Sequence, residues 1–164
     1  MSQISVLVLM GSGSDAPVMQ PAVDLLREFG IPCEMTVASA HRSPARVQRL
    51  LDEAPARGVK VFIVGAGAAA HLAGMVAAHT TCPVIGVPID SSALKGLDAL
   101  LSTVQMPPGV PVATVSIGKP GAINAAVLAA QILAVGDVTL SCRLEKYKAQ
   151  LAEEVDRAAE KLSS

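Results

Sequence analysis

The sequence predicts a three-layer α/β fold: a doubly wound, parallel five-stranded sheet with flavodoxin-like strand order and an extra C-terminal helix. Five short apolar segments alternate with five segments whose apolar residues recur at helical spacing, as in a parallel sheet covered on both faces. Hydrophobic residues make up 51% of the chain but aromatic residues only 2%, so the core is aliphatic and suits fully buried strands. Right-handed crossovers then favour a switch point between the first and third strands.

The predicted strands are short, β-branched runs that stop at Gly, Pro or polar residues. In chain order they are residues 4–10, 33–38, 59–64, 84–87 and 112–117. The predicted helices follow them at residues 16–29, about 47–54, 68–79, 93–104 and 122–135. Gly30 and Pro32 end the first helix, and Gly58 ends the second. Pro21 lies inside the first helix and is expected to kink it or delay its first turn.

The C-terminal segment differs from the rest, so we divide the chain into a flavodoxin-like domain, residues 1–136, and a terminal helix, residues 137–164. Charged residues become dense in this segment, and its apolar residues form a thin stripe three or four apart: Leu144, Tyr147, Leu151, Val155, Ala158 and Leu162. Such a stripe fits a helix packed on a neighbouring subunit and equally a surface helix lying on its own subunit.

Charge and composition argue against several classes of partner. The formal net charge is −1 with no basic run, so nucleic-acid binding is not expected. We expect no membrane association, because no apolar run reaches spanning length, and no secretory signal precedes the first strand. The three cysteines are far apart, with no CxxC pair, so neither a disulfide framework nor a zinc site is indicated. A cytoplasmic protein is the simplest interpretation.

Small and polar residues concentrate after the predicted strands, at the edge where such sheets bind ligands. In the first loop, glycines precede a helix start that favours an anion, and Ser12 and Ser14 add hydroxyl donors. Asp15 would repel an anion, so it either binds sugar hydroxyls or only caps the helix.

The second loop carries the residues best suited to catalysis. Ser39 and Arg42 are donors for phosphate oxygens, and Arg42 offers a bidentate fork. His41 lies between them and is suited to take and give a proton near neutral pH. His71, at the start of the third helix, has less weight as a possible pocket residue, and His79 has less still. The histidines lack HExxH or HxxxH spacing, so no metal site is expected.

Two glycine patterns leave a rival function open. The run from Gly11 to Ala16 and the run in residues 65–70 both read as GxGxxA, which taken alone indicates a dinucleotide site. No acidic residue ends the second strand, where a ribose-binding carboxylate is expected. A nucleotide-binding module without catalysis therefore stays as an alternative.

Taken together, the motifs resemble the class I N5-carboxyaminoimidazole ribonucleotide mutase family of purine biosynthesis, the phosphoribosylaminoimidazole carboxylase catalytic subunit family. The resemblance covers nearly the whole domain. The matching stretches are MGSGSD (10–15), SAHRSP (39–44), GAGAAAHLAGM (65–75), PVIGVP (83–88), and residues 91–115 and 121–133.

The resemblance implies a homo-octamer held partly by the C-terminal helix, and an isomerase that uses no metal or other cofactor. His41 matches the family's catalytic histidine. The small-molecule substrate, a phosphoribosyl aminoimidazole, would contact Ser12, Asp15 and Arg42, aided by Ser14 and Ser39. Further substrate contacts would come from Gly65, Ala66, Gly67 and Leu72, with residues 106–107 as a wall or cover.

Three positions depart from the family pattern. Ala68 and Ala73 replace a common Gly and Pro, and Pro21 is unusual. The related carboxylases that use free carbon dioxide typically have Lys after the catalytic histidine, so Arg42 favours the mutase class. Direct carboxylation remains the nearest enzymatic alternative.

Overall fold

The computed structural model describes residues 3–163; Met1, Ser2 and Ser164, at the ends of the two predicted domains, lie outside the described residues. The strands are β1 (Val6–Met10), β2 (Cys33–Val37), β3 (Val61–Gly67), β4 (Val84–Ile89) and β5 (Ala113–Thr114). The helices are α1 (Ala16–Glu28), α2 (Pro44–Glu53), α3 (Leu72–His79), α4 (Leu97–Val104), α5 (Lys119–Ala134) and α6 (Val138–Ser163). A single 3₁₀ turn, Gly13–Asp15, precedes α1.

The sheet has the order β2-β1-β3-β4-β5 with every neighbouring pair parallel, which confirms the predicted fold class and switch point. Side chains alternate between the two faces because the strand period is two. Val6, Val8 and Ile63 pack in the core beneath α1 and α5. Leu7 and Phe62 belong to the opposite core, beneath α2, α3 and α4. Burial on both faces explains the near-continuous apolar runs of the sequence.

Two predicted helix starts are wrong for the same reason. Helix α3 begins at Leu72 rather than 68, and α4 begins at Leu97 rather than 93. Ala68 and Lys95 both have φ of 51°, in the left-handed region that a right-handed helix cannot include. Each helix is therefore preceded by a turn at the carboxyl edge of the sheet. Pro21 was expected to kink α1 or delay its first turn. It neither delays nor interrupts this helix, which runs from Ala16 to Glu28.

The strands differ from prediction mainly at their ends. Strand β3 extends through Gly67, pairing with β4 at Gly65↔Val87, Ala66↔Pro88 and Gly67↔Ile89. Strand β5 is reduced to Ala113–Thr114, although the backbone N–H of Val115 still donates to Gly86. The extension of β3 carries its backbone further towards the ligand edge than the apolar run alone predicts.

Helix α6 divides into an anchored half and an exposed half. Leu140 is buried against the α1–α5 core, Leu144 and Tyr147 are partly buried there, and the Tyr147 and Phe29 rings pack edge to face with centroids 5.3 Å apart. Beyond them, Leu151, Val155 and Leu162 are 45%, 69% and 90% exposed. The first half thus lies on its own subunit, while packing of the second half on a neighbour stays a prediction. No helix within residues 3–163 is long and apolar enough to span a bilayer.

We predict that Gly86→Ala destabilises the fold. A Cβ at this position would overlap Cγ2 of Thr103 and lie 2.9 Å from Cγ1 of Val112, and both side chains are β-branched and stiff. The free energy of unfolding should fall by about 1–3 kcal/mol, measured by urea denaturation. Gly136→Ala is the control, since a Cβ there meets nothing within 4 Å. Equal midpoints for the two variants would contradict the prediction.

Candidate active site

A cavity of about 290 Å³ lies at the carboxyl edge of the sheet, where three predicted loops meet. Its volume is at the lower end of the range typical of small-molecule sites. Nine of the ten predicted site residues line it: Ser12, Ser14, Asp15, Ser39, His41, Arg42, Ala66, Gly67 and Leu72. Gly11, Ala40, Ala69 and Ser91 complete the lining without having been predicted as site residues.

The first loop is organised by reciprocal hydrogen bonds around its 3₁₀ turn. The backbone N–H and the hydroxyl of Ser14 both approach Oγ of Ser12, at 3.3 and 2.8 Å. The backbone N–H of Ser12 donates to Oδ2 of Asp15 at 3.1 Å, which closes a capping box. Two neighbouring hydroxyls therefore stand at the start of α1, where the helix dipole favours an anion.

Of the two alternatives for Asp15, the structure does not support capping of α1, and binding of sugar hydroxyls stays a prediction. Its side chain makes no capping bond to α1, and it instead accepts from Ser12 one turn earlier. The residue is only 7% exposed, yet it lines the cavity. Burial raises the pKa of this carboxyl, and hydrogen bonds from Ser12 and Ser14 and the charge of Arg42 oppose that rise. The carboxylate is thus held at the cavity wall as an acceptor.

Arg42 joins the first and second loops. Its Nη2 donates to the backbone oxygen of Gly11 at 3.0 Å, and its backbone N–H donates to Oγ of Ser39 at 3.2 Å. Ser39 is itself fixed, since its backbone N–H donates to Oγ of Ser43 at 3.2 Å. A guanidinium has five N–H donors, so the Gly11 contact leaves donors for a ligand. Arg42, Ser12, Ser14 and Ser39 together form a donor cluster suited to a phosphate.

His41 contacts His71, a pairing that the sequence did not predict. Nε2 of His41 lies 2.7 Å from Nδ1 of His71, and the rings meet edge to face with centroids 4.8 Å apart. Such a bond requires one facing nitrogen to carry hydrogen and the other to accept it. His71 therefore orients the ring of His41 and couples the protons of the two rings, since a hydrogen on Nε2 of His41 requires a bare Nδ1 on His71, and the reverse. The available signal was that residues 39–44 and 65–71 come at the ends of the two strands, β2 and β3, that flank β1 at one sheet edge.

The third loop contributes bare backbone and a small apolar wall. Ala66 and Gly67 line the cavity, and Leu72, 2% exposed, forms its apolar side. Gly65 is buried in β3 and does not line the cavity, in contrast to its predicted role. A Cβ there would meet Sδ of Met19 and lie 3.1 Å from Cδ1 of Ile89, so this glycine serves packing.

Two other candidates lie outside the cavity lining. The sulfur of Met106 lies 3.2 Å from the position of a Cβ on Gly74 in α3, so the predicted wall at residues 106–107 packs on that helix. Nδ1 of His79 lies 2.8 Å from the backbone oxygen of Met75, at the end of α3. Residues 3–163 include no group of three or more His, Cys, Asp or Glu side chains arranged to hold a metal ion.

Comparisons with known proteins agree on one family. The AIR carboxylase family matches residues 5–154. The N5-carboxyaminoimidazole ribonucleotide mutase of Bacillus subtilis is 52% identical over 155 residues, which cover 94% of this chain and 96% of that protein. The phosphoribosylaminoimidazole carboxylase of Candida glabrata is 50% identical over 96% of this chain but only 27% of its own length. The crystal structure of Treponema denticola PurE superposes with a TM-score of 0.87 at 30% identity, covering 97% of this chain and 98% of that chain.

The raised pKa of Asp15 predicts a pH-dependent effect of Asp15→Asn on stability. The folded state holds this proton more tightly than the unfolded state, whose pKa is near the ordinary 3.8. The contribution of Asp15 to the free energy of unfolding is therefore fully present below pH 3.8 and is lost as the pH rises through the folded pKa. Asn keeps an oxygen for Ser12 but carries no charge.

Urea unfolding of both proteins, below pH 3.8 and at neutral pH, checks this. The stability of Asp15→Asn relative to the parent chain should be higher at neutral pH than in acid. A difference that is constant with pH, or larger in acid, would contradict the sign.

Proposed function

The chain belongs to the AIR carboxylase family, and from this we propose that it is a mutase of de novo purine biosynthesis. It moves the carboxylate of N5-carboxyaminoimidazole ribonucleotide from the exocyclic nitrogen to a ring carbon, giving 4-carboxy-5-aminoimidazole ribonucleotide. The observation that carries the proposal is one cavity that holds both an anion-binding donor cluster and the paired imidazole of His41.

The donor cluster binds the substrate's phosphate. Ser12 and Ser14 lie at the start of α1, and Arg42 brings a fixed positive charge beside them. The phosphate takes no part in the carboxyl transfer. Its binding energy therefore serves to position the substrate's imidazole ring, at the other end of the ribonucleotide. Asp15 supplies an acceptor that suits the ribose hydroxyls, a role in which its negative charge is no disadvantage.

His41 moves the protons of the reaction. Protonation of the carbamate nitrogen breaks its bond to the carboxyl carbon, which releases carbon dioxide and leaves aminoimidazole ribonucleotide with an uncharged exocyclic amine. The ring carbon then attacks carbon dioxide, and removal of its proton restores the aromatic ring. The proton that His41 gives in the first step is replaced in the last, so one imidazole serves both. His71 acts as a positioning residue for that imidazole.

The remaining wall suits a small neutral intermediate. Ala66, Gly67, Ala69 and Leu72 present short side chains and backbone there, a lining that we expect to exclude bulk water once the substrate is bound. Exclusion of water keeps carbon dioxide close to the ring carbon until it reacts. We expect the reaction to need no metal or other cofactor, so it should proceed with a chelator present.

The assembly and location of the enzyme also belong to the proposal. We infer a homo-octamer in the cytoplasm, in which the exposed half of α6 packs on a neighbouring subunit. Leu151, Val155 and Leu162 are apolar and exposed, which supports such a contact.

Direct carboxylation of aminoimidazole ribonucleotide is the second candidate, because the Candida glabrata relative is named a carboxylase. The deciding experiment compares two assays of the purified protein, both with a metal chelator present. One supplies the carbamate, and the other supplies aminoimidazole ribonucleotide together with bicarbonate. The mutase proposal expects rapid product formation from the carbamate and little from the bicarbonate mixture. Faster product formation from the mixture would favour the carboxylase, and formation from neither would refute both.

We predict that His41→Asn lowers kcat by about 10²–10⁴-fold, the usual contribution of a general acid–base. Ribonucleotide affinity should change little, because the phosphate cluster is intact. Steady-state kinetics and calorimetry with the product measure the two effects separately. Normal turnover by this variant would exclude the role given to His41.

A second substitution, Arg42→Ala, should act on binding instead. Loss of a charged hydrogen bond to phosphate costs about 1.5–3 kcal/mol, which corresponds to a roughly ten- to hundredfold higher KM. Arg49→Ala, an exposed arginine on α2 outside the cavity lining, is the matched control and should leave KM unchanged. An equal response of the two variants would contradict phosphate binding by Arg42.

A further inference from the structure

A segment between β4 and α4, residues 90–96, borders the third-loop side of the cavity; we call it the strap. Its Ser91 lines the cavity although no motif assigns it a role. The side chain of Ser91 rests directly over Gly67, in the space that a Cβ on Gly67 would occupy. Gly67 is therefore required for the strap to lie this close, and Ser91 closes the cavity beside Ala66 and Gly67.

One side chain organises the strap from within. The hydroxyl of Ser92 donates to Oδ2 of Asp98 in the first turn of α4 at 2.7 Å. The same hydroxyl accepts from the backbone N–H of Leu94 at 3.2 Å, and the Ser92 carbonyl accepts from Lys95 at 3.0 Å. Removal of the Ser92 hydroxyl therefore removes both the link to α4 and a bond that folds the strap.

The strap adopts a backbone that needs such a link. Lys95 and Gly96 have φ of 51° and 85°, two successive left-handed residues. A Cβ on Gly96 would lie 2.6 Å from Cγ2 of Ile117 and 3.3 Å from Cα of Asp90, so the strap doubles back against its own start. A lysine disfavours this conformation, so contacts elsewhere must maintain it.

The position of Asp98 carries a free-energy cost that its favourable effect on the start of α4 does not account for. Its second oxygen, Oδ1, is buried without a hydrogen-bond partner among residues 3–163. An acidic residue suits the first turn of a helix, but that effect does not require burial of its oxygen. The contact that does require this placement is the charge-assisted bond from Ser92.

We propose that Asp98 is a positioning residue that, through Ser92, holds the strap so that Ser91 closes the cavity where the carboxylate migrates. This inference rests on the proposed function. The strap carries no side chain that transfers protons in the proposed mechanism. Its role is therefore to retain the intermediate. A loosened strap lets carbon dioxide escape: the carbamate loses carbon dioxide, its nitrogen gains a proton, and aminoimidazole ribonucleotide leaves instead of product.

The test uses the full chain and compares Ser92→Ala, Ser92→Thr and Asp98→Ala with Ser102→Ala. Ser102 is the matched control, because it lies one turn after Asp98 in α4 and its buried hydroxyl has no partner among the described residues. Product and aminoimidazole ribonucleotide are quantified separately by chromatography, and KM and kcat are determined for each variant.

Ser92→Ala and Asp98→Ala should lower kcat for product by roughly tenfold to a hundredfold, as expected when a wall of the site is misplaced. KM should change less than about threefold, because the phosphate cluster is untouched. The share of turnover that ends as aminoimidazole ribonucleotide should rise in both variants. Ser92→Thr keeps the hydroxyl and should restore product formation, and Ser102→Ala should match the parent chain.

Normal product partition in Ser92→Ala, or an equal loss in Ser102→Ala, would overturn the inference. Amide hydrogen exchange of residues 92–96 gives a measurement that does not depend on the reaction. Exchange should accelerate there in Ser92→Ala and Asp98→Ala, and unchanged exchange would also overturn the inference. If the parent chain fails to convert the carbamate, the proposed function fails, while the exchange result still decides whether Asp98 holds the strap.

Discussion

The site depends on the close approach of bare backbone at the carboxyl ends of β1 and β3. The backbone N–H of Gly11 donates to the carbonyl of Gly65 at 3.2 Å, and the carbonyl of Gly11 accepts from Arg42 at 3.0 Å. One glycine therefore joins the third loop to the second. Because no side chain separates these segments, the phosphate donors and the imidazole of His41 can line one cavity of about 290 Å³.

Most of the fold could be predicted because apolar patterning records burial directly, and because the right-handed twist of strands fixes the hand of the crossovers. Helix starts were less predictable, since Ala68 and Lys95 carry φ of 51° that their residue types disfavour. Here, tertiary contacts override local preference. Likewise, β3 extends through Gly67 although glycine is a poor strand former, because β4 supplies partners along its whole length.

The chemistry-bearing residues of the site could also be predicted, but their mutual contacts could not. Strand-end placement brought His41 and Arg42 to the correct edge, whereas the 2.7 Å contact of His41 with His71 depends on how two loops fold back. Gly65 shows the limit of a motif: its predicted ligand contact stays a prediction, whereas the structure shows that Met19 and Ile89 occupy the space a Cβ there would need. A glycine motif indicates positions where a side chain would not fit. It does not show whether a ligand or another part of the protein occupies that space.

Local costs accumulate around this cavity. Asp15 is a buried carboxyl with a raised pKa, Ala68 and Lys95 hold left-handed backbone at about 1–2 kcal/mol each, and Asp98 buries an oxygen without a partner among the described residues. Each cost lies in a loop or in the first turn of a helix at the carboxyl edge, while the central strands β1, β3 and β4 are apolar and almost wholly buried. Such clustering is expected where a rigid core holds loops in positions that stability alone would not select. The stability gained from packing the aliphatic sheet therefore offsets the free-energy cost of the loop conformations. Those conformations bring the phosphate donor cluster and the imidazole of His41 together.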